Sequence, residues 1–81
     1  MKVNVNLFAR ARDLCGSDSI CIELPSGASV ADLRSSLVEQ FPALGTLGRY
    51  LLIAIDRDYA ADSVILPEDS EVACFPPVSG G

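Results

Sequence analysis

Side chains that commonly perform catalysis are scarce in this sequence of 81 residues. It contains no histidine, the usual general base of enzymes, and no glycine-rich phosphate-binding motif. Its three cysteines, Cys15, Cys21 and Cys74, lack the C-x-x-C spacing of zinc and redox sites, and no histidine is present to activate a thiol. We therefore expect reduced cysteines, no catalytic triad, and no metal or cofactor that is bound permanently.

The remaining candidate for chemistry is the carboxylate of Gly81, at the end of the segment Pro76-Pro77-Val78-Ser79-Gly80-Gly81. The two prolines favour an extended chain, so this segment could reach roughly 20 Å at ~3.3 Å per residue. The two glycines have no Cβ, so they could enter a channel that is too narrow for other residues. This pattern predicts a reactive tail at 76–81, attached to a folded domain at 1–75.

A carboxylate resists nucleophilic attack until it is activated. ATP can activate it as a mixed anhydride with AMP, after which attack by sulfur yields a thiocarboxylate and attack by lysine yields an isopeptide bond. Both routes place the covalent chemistry on Gly81 and the catalytic machinery on other proteins. Two glycines are weak evidence by themselves, and an unreactive end is the alternative.

Composition indicates one globular domain, with 49% hydrophobic and 21% charged residues. No apolar run approaches the ~18 residues of a membrane span, and the N-terminus has no signal-peptide pattern, so we expect a soluble, cytoplasmic protein. The net charge of −5 disfavours a nucleic-acid partner. Six of the eleven acidic residues form either a solvated face or a surface that steers a basic partner. They lie in the last third of the chain: Asp56, Asp58, Asp62, Glu68, Asp69 and Glu71.

Two alternating segments place an aromatic residue on the polar side of a sheet. In the first predicted strand, Phe8 falls on the face of Asn4 and Asn6, opposite the aliphatic residues. In the last, Phe75 falls on the face of Glu71, which requires solvent. Two exposed aromatic residues on adjoining strands would form a patch, and such patches favour partner binding.

The predicted order of elements is strand, strand, helix, strand, short strand, strand, which is α+β. The helix begins at the N-cap Ser29, with Asp32 completing a capping box, and it ends before Pro42. One amphipathic helix can cover only one face of the sheet, so the other face should be open. The other predicted features are a helical turn at 9–15, a strand at 20–24, a loop or short 3₁₀ turn at 43–49, a buried strand at 51–55 and a strand at 71–75. The helix should bury an apolar stripe of Val30, Leu33, Leu37, Val38 and Phe41.

The sequence resembles the small, sulfur-carrying subunits of molybdopterin synthase, which are ubiquitin-like β-grasp proteins. The resemblance spans the whole chain and is carried by 7–14 with Gly16, by Leu24-Pro25 with the following helix, and above all by the ending from 69 to 81. It implies a mixed sheet of about five strands with one main helix and an extended C-terminal tail.

The resemblance also implies a mechanism and a set of partners. An E1-like enzyme would use ATP to adenylate Gly81, and a persulfide donor would convert it to a thiocarboxylate. The large synthase subunit would receive Pro76, Pro77, Val78, Ser79, Gly80 and Gly81 in its active site, where two sulfurs convert cyclic pyranopterin monophosphate to molybdopterin. Contacts with these partners would come from Phe8, Tyr59 and Phe75. Such subunits form a heterotetramer around a dimer of large subunits.

Three alternatives remain open at this stage. The first is a sulfur carrier for thiamine synthesis or tRNA thiolation. The second is a protein modifier that is conjugated to lysines, although Lys2 is the only lysine on which a chain of modifiers could grow. The third is an interaction module with an inert tail.

Overall fold

The computed structural model describes residues 1–77, so the predictions for Val78, Ser79, Gly80 and Gly81 lie outside the described residues. The predicted α+β architecture is confirmed. In chain order the elements are β1 (Lys2–Leu7), α1 (Ala9–Cys15), β2 (Ser19–Glu23), α2 (Val30–Gln40), a 3₁₀ turn (Pro42–Leu44), α3 (Leu47–Tyr50), β3 (Leu52–Ile55), β4 (Asp58–Tyr59) and β5 (Val72–Phe75).

The five strands form one mixed sheet in the order β2-β1-β5-β3-β4. β1 and β5 are parallel neighbours near its centre, and the other neighbouring pairs are antiparallel. Val5 lies opposite Val72 and Leu7 lies opposite Cys74. Because paired residues share a face, β1 and β5 present their apolar side chains to the same core.

The core lies on one face of this sheet, where α1, α2 and the 3₁₀ turn contribute the buried residues Ala11, Leu33, Leu37 and Leu44. Within residues 1–77 the buried helical side chains belong to this single cluster, so the opposite face of the sheet meets solvent, as predicted. None of the helices in this part of the chain is long and apolar enough to cross a membrane.

The N-terminus of α2 has the predicted capping box. Ser29 Oγ accepts a hydrogen bond from the backbone N–H of Asp32 at 3.2 Å, and the Asp32 carboxylate accepts one from the N–H of Ser29 at 2.9 Å. These bonds satisfy two donors that a helix start leaves unpaired. Val30, Leu33 and Leu37 are buried as expected, whereas the last two members of the predicted stripe, Val38 and Phe41, are only half-buried.

Segment 43–49 is more ordered than the sequence indicates. Its two glycines predict a loop or 3₁₀ turn, but the 3₁₀ turn is followed by the short helix α3. The Arg34 side chain in α2 stabilises the end of α3, because its Nη1 donates to the carbonyls of Gly48 and Leu51, each at 2.8 Å. Its Nε and Nη2 donate to Asp62 at 3.2 and 3.0 Å. These long-range contacts have no local sequence signal.

Three strands differ from the prediction in their boundaries. β2 spans Ser19–Glu23, one residue earlier than the predicted 20–24. β3 begins at Leu52, because Leu51 caps α3 with an N–H that donates to the carbonyl of Leu47. β5 begins at Val72, because Glu71 is bonded through its backbone to Asp56, at the turn between β3 and β4.

Cys74 is a core residue, and its thiol is not reactive at neutral pH. Burial is the largest effect and raises its pKa to about 12, while the charge of Arg34 lowers the pKa and Cys15 raises it. Burial also raises the pKa of the half-buried Cys15, whereas Cys21 is exposed on the open face of the sheet. Within residues 1–77, no group of three histidine, cysteine, aspartate or glutamate side chains is placed to hold a metal ion.

We expect the effect of Gly48→Ala on stability to depend on Val38. A Cβ at Gly48 would overlap Cγ2 of Val38, a β-branched and stiff side chain. Overpacking costs ~1–3 kcal/mol, which outweighs the ~1 kcal/mol by which alanine is the better helix former. Gly48→Ala should therefore lower the free energy of unfolding in the native background and raise it in a Val38→Ala background, as measured by urea denaturation. The same sign in both backgrounds would contradict the packing that we describe.

Cys74 should make the protein less stable in alkali. The unfolded chain loses the thiol proton near the ordinary pKa of 9.0, whereas the folded chain keeps it up to about 12. The stabilisation is therefore complete below pH 9 and falls between pH 9 and 12, by up to ~1.4 kcal/mol per pH unit. Urea titrations at pH 7, 9 and 10 should show wild type losing stability relative to Cys74→Ala, which retains all other titrating groups. A constant difference between the two proteins across this range would show that burial does not shift the pKa of Cys74.

Candidate functional site

The open face of the sheet carries a cluster of three aromatic residues, Phe8, Tyr59 and Phe75, which we call the aromatic cluster. The rings of Phe8 and Phe75 are stacked, with centroids 4.7 Å apart and planes inclined by 9°. Tyr59 meets Phe75 edge-on, with centroids 6.3 Å apart and an interplanar angle of 80°. The structure therefore brings together Phe8 and Phe75, which the alternation placed on this face, and Tyr59, which the family resemblance implied.

Exposure differs within the aromatic cluster. Tyr59 is 71% exposed and Phe8 is 44% exposed, whereas Phe75 lies between them and is half-buried. Phe75 is thus on the predicted face, but its two aromatic neighbours shield much of its ring from solvent. Two rings that project beside a shielded third make an apolar surface available to a partner.

Leu52 extends the aromatic cluster and was not identified from sequence. It lies opposite Phe75 in the antiparallel pair of β3 and β5, and its side chain is exposed. The run of apolar residues at 51–55 indicated a strand buried on both faces. The face on which Leu52 lies follows from the register of β3 with β5, because a residue paired with Phe75 must lie on the same face as Phe75.

The backbone around Phe8 changes direction abruptly. Phe8 is extended and Ala9 has a φ of 51°, in the left-handed region that alanine rarely adopts. The carbonyl of Phe8 accepts hydrogen bonds from the N–H groups of Ala11 and Arg12, at 3.2 and 3.4 Å. Helix α1 therefore starts at the residue after Phe8, which holds this ring beside β5.

A hollow of about 320 Å³ lies next to the aromatic cluster on the same face. Its floor includes Ala54 and Ala73, which face each other in β3 and β5 and leave space above the sheet. The aromatic cluster lines the hollow together with Asn6, Arg57 and Glu71. Small residues surrounded by larger ones make a site that can receive a side chain from a partner.

The hairpin of β3 and β4 positions Tyr59 and one end of this hollow. Asp56 and Arg57 form its two-residue turn with φ values of 49° and 75°, the signs that a type I′ turn requires. Two bonds fasten the turn to the residue before β5. The N–H of Asp56 donates to the Glu71 carbonyl at 2.8 Å, and the N–H of Glu71 donates to the Asp56 carboxylate at 2.9 Å.

Three of the six acidic residues of the last third have partners among residues 1–77. Asp56 accepts the bond from Glu71, Asp62 accepts bonds from Arg34, and Glu68 accepts one from Ser26 Oγ at 3.0 Å. These carboxylates therefore help to fasten loops to the domain. Glu71 has a different position, because its residue lines the hollow.

The aromatic cluster adjoins the beginning of the predicted tail. Phe75 ends β5 and is followed directly by Pro76, which is half-buried, and Pro77, which is exposed. A protein that contacts the aromatic cluster is therefore also close to the start of segment 76–81.

Comparisons with known proteins agree over the full length. The ThiS family matches residues 5–81. A protein of Arabidopsis thaliana named molybdopterin synthase sulfur carrier subunit is 36% identical over 81 residues, which cover 100% of this chain and 84% of that relative. Other relatives with this name include one from Chlamydomonas reinhardtii, 32% identical, with 100% of both chains covered.

Two solved structures have closely similar folds. The putative molybdopterin converting factor, subunit 1, from Pyrococcus furiosus has a TM-score of 0.85 at 32% identity, covering 96% of this chain and 99% of that one. SAMP1 from Haloferax volcanii has a TM-score of 0.85 at 28% identity, with 100% of each chain covered. The fold is thus the ubiquitin-like β-grasp that the resemblance implied, and the chain belongs to the ThiS family.

Proposed function

We propose that this protein is the sulfur carrier of molybdopterin synthesis, and that its sulfur is carried on the carboxylate of Gly81. The observation that carries the proposal is the exposed aromatic cluster directly before the segment that leads to Gly80-Gly81. The family match, which extends through residue 81, and the full-length relatives named molybdopterin synthase sulfur carrier subunit support it.

The proposed chemistry takes place in three steps. The Gly81 carboxylate attacks the α-phosphate of ATP on an E1-like enzyme, which releases pyrophosphate and forms an acyl-adenylate. The terminal sulfur of a persulfide displaces AMP, and reduction of the resulting acyl disulfide by a thiol leaves the thiocarboxylate. In the large synthase subunit, the thiocarboxylate sulfur displaces an oxygen substituent of cyclic pyranopterin monophosphate and joins the carrier to it as a thioester. Water then cleaves the acyl C–S bond, which leaves the sulfur on the pterin and regenerates the Gly81 carboxylate, and two loaded carriers in turn supply the two sulfurs of molybdopterin.

In this scheme the protein serves as the sulfur-donor subunit, while its partners supply the catalytic pockets. Its own contribution is to dock and to present the tail. The aromatic cluster provides apolar contact area, and its stacked geometry limits the side-chain entropy lost on binding because Phe8 and Phe75 already hold each other. Pro76 and Pro77 keep the first part of the tail extended, so that less chain entropy is lost when it enters a channel.

The carrier should exist in a sulfur-loaded form. Intact mass spectrometry of the protein purified from cells that make molybdopterin should reveal a species heavier by the difference between one sulfur and one oxygen atom. Fragmentation should place the extra mass on Gly81, and this also checks that Gly81 is the last residue of the working protein. Cells that lack the E1-like enzyme should contain only the lighter form. A loaded form in those cells, or none in the cells that make the cofactor, would refute the proposal.

Deletion of Gly81 should abolish molybdopterin synthesis and leave the folded domain unchanged. The thermal unfolding midpoint should equal that of wild type, because the core of the described domain, whose last member within 1–77 is Cys74, does not include Gly81. Complementation of a carrier-deficient strain gives the activity, and circular dichroism gives the stability. A truncated protein that still supports cofactor synthesis would contradict the assignment of Gly81.

Phe75→Ala should weaken binding to the large subunit by about 1 kcal/mol or more, since truncation of an aromatic anchor at an interface has effects of this size. The dissociation constant can be measured by isothermal titration calorimetry. Ile65→Ala is the matched control, because Ile65 is an exposed apolar residue in the loop that pairs with Ser29, away from the aromatic cluster. Equal affinities for wild type and Phe75→Ala would remove Phe75 from the interface.

The similarity to SAMP1 supports a second candidate function, that of a protein modifier. A second solved structure of this type from Haloferax volcanii is named small archaeal modifier protein 1, and it has a TM-score of 0.82 at 25% identity. A modifier would use the activated Gly81 carbonyl to acylate lysines of other proteins. An epitope-tagged chain would then form larger conjugates on a denaturing gel, and these would be lost on deletion of Gly81. If only the free chain is seen in cells that make molybdopterin, the carrier function alone remains.

A further inference from the structure

Arg57 is the only basic residue after Arg49, in a part of the chain rich in acidic residues. It lies at the second position of the turn between β3 and β4 and lines the hollow beside the aromatic cluster. A positive charge is therefore placed next to the aromatic cluster of a protein whose net charge is −5.

The backbone at Arg57 is unfavourable for an arginine. Its φ of 75° lies in the left-handed region, and the second position of a type I′ turn strongly favours glycine. Residues kept in such conformations are common where function requires a particular side chain. The turn is also immobilised, because Asp56 and Glu71 exchange two hydrogen bonds at its base.

The guanidinium of Arg57 is not used to stabilise the domain. Within residues 1–77, no carboxylate oxygen lies within 4.0 Å of its nitrogens, and it makes no side-chain hydrogen bond. Asp56, its neighbour in the turn, is bonded to Glu71 instead. Arg34 shows the contrast, because all of its bonds go to Asp62 and to carbonyls of the domain.

We infer that Arg57 is a specificity residue for docking, and that it binds a carboxylate of the large synthase subunit. That carboxylate lies beside an apolar side chain of the large subunit, which occupies the hollow above Ala54 and Ala73. Arginine suits this role because its planar guanidinium binds a carboxylate through two parallel hydrogen bonds. The inference rests on the proposed function, since it assigns a chemical feature to a partner that this function requires.

The charges at the hollow favour this occupant. Arg57 attracts a carboxylate, and Glu71 at the same hollow repels one. A partner with its acidic group on the Arg57 side is therefore accepted, and one with the reverse arrangement is disfavoured. Such paired attraction and repulsion at the rim of an apolar contact determines orientation and partner choice.

Arg57→Gln and Arg57→Gly test the inference, with Arg49→Gln as the control that removes an equal charge from α3, outside the aromatic cluster and the hollow. Binding to the large subunit of the same organism is measured by calorimetry at low and high salt. Both Arg57 variants should bind about tenfold more weakly at low salt, and the dependence of affinity on salt should become shallower. Arg49→Gln should retain the affinity and salt dependence of wild type.

Thermal stability distinguishes a docking role of Arg57 from a structural one, because loss of a structural residue would lower the thermal midpoint. Arg57→Gly removes the unfavourable backbone conformation, so its thermal midpoint should rise by about 4 °C although its binding falls. A double-mutant cycle then identifies the partner group, since one Asp→Asn or Glu→Gln change in the large subunit should have little further effect in the Arg57→Gln background.

The outcomes separate the inference from the proposed function. If wild type binds the large subunit and Arg57→Gln binds within twofold of it with the same salt dependence, the inference is wrong and the carrier function stands. If wild type does not bind the large subunit, both are wrong. The contact between Arg57 and the large subunit is established if Arg57→Gln binds more weakly and if, in that background, substitution of one acidic residue of the large subunit causes little further loss of affinity.

Discussion

The parallel pairing of β1 with β5 is the contact on which the rest of the structure depends. It joins the first strand of the chain to the last, and each of these strands has a second neighbour, β2 or β3. On one face the pair places Leu7 opposite Cys74 in the core. On the other face, one residue further along each strand, it brings Phe8 against Phe75. The same register therefore builds the hydrophobic core and the candidate binding surface, and neither can change without the other.

Local sequence patterns correctly predicted those features that are determined by residues close together in the chain. Alternation assigned Phe8 and Phe75 to the open face, and Ser29 with Asp32 marked the start of α2. The missed features have causes that are distant in sequence. Helix α3 is stabilised by Arg34, and Leu52 joins the aromatic cluster only through the register of β3 with β5. The role of Tyr59 as a contact residue was implied by the family resemblance, because alternation in the sequence does not assign it to the open face.

The open face balances two opposing requirements. A docking surface must expose apolar area, and exposed apolar area favours non-specific association. Stacking of Phe8 on Phe75 partly meets both, because each ring covers part of the other while both residues remain partly exposed. The small floor of Ala54 and Ala73 further limits the apolar area exposed in the absence of a partner. The charged residues at the hollow, Arg57 and Glu71, add selectivity for orientation.

The position of β5 has a mechanical consequence for the proposed carrier function, in which other proteins handle the tail. Pro76 follows a strand that is hydrogen-bonded on both sides, to β1 and to β3. A force that pulls on the chain beyond Pro76 acts along β5. It therefore strains the hydrogen bonds to β1 and β3 simultaneously and in shear. A strand at the edge of a sheet can instead be separated one hydrogen bond at a time. Strands in the middle of a core are also the last parts of a domain to open spontaneously. A partner can therefore draw on the end of this chain while the domain stays folded and its aromatic face keeps its shape.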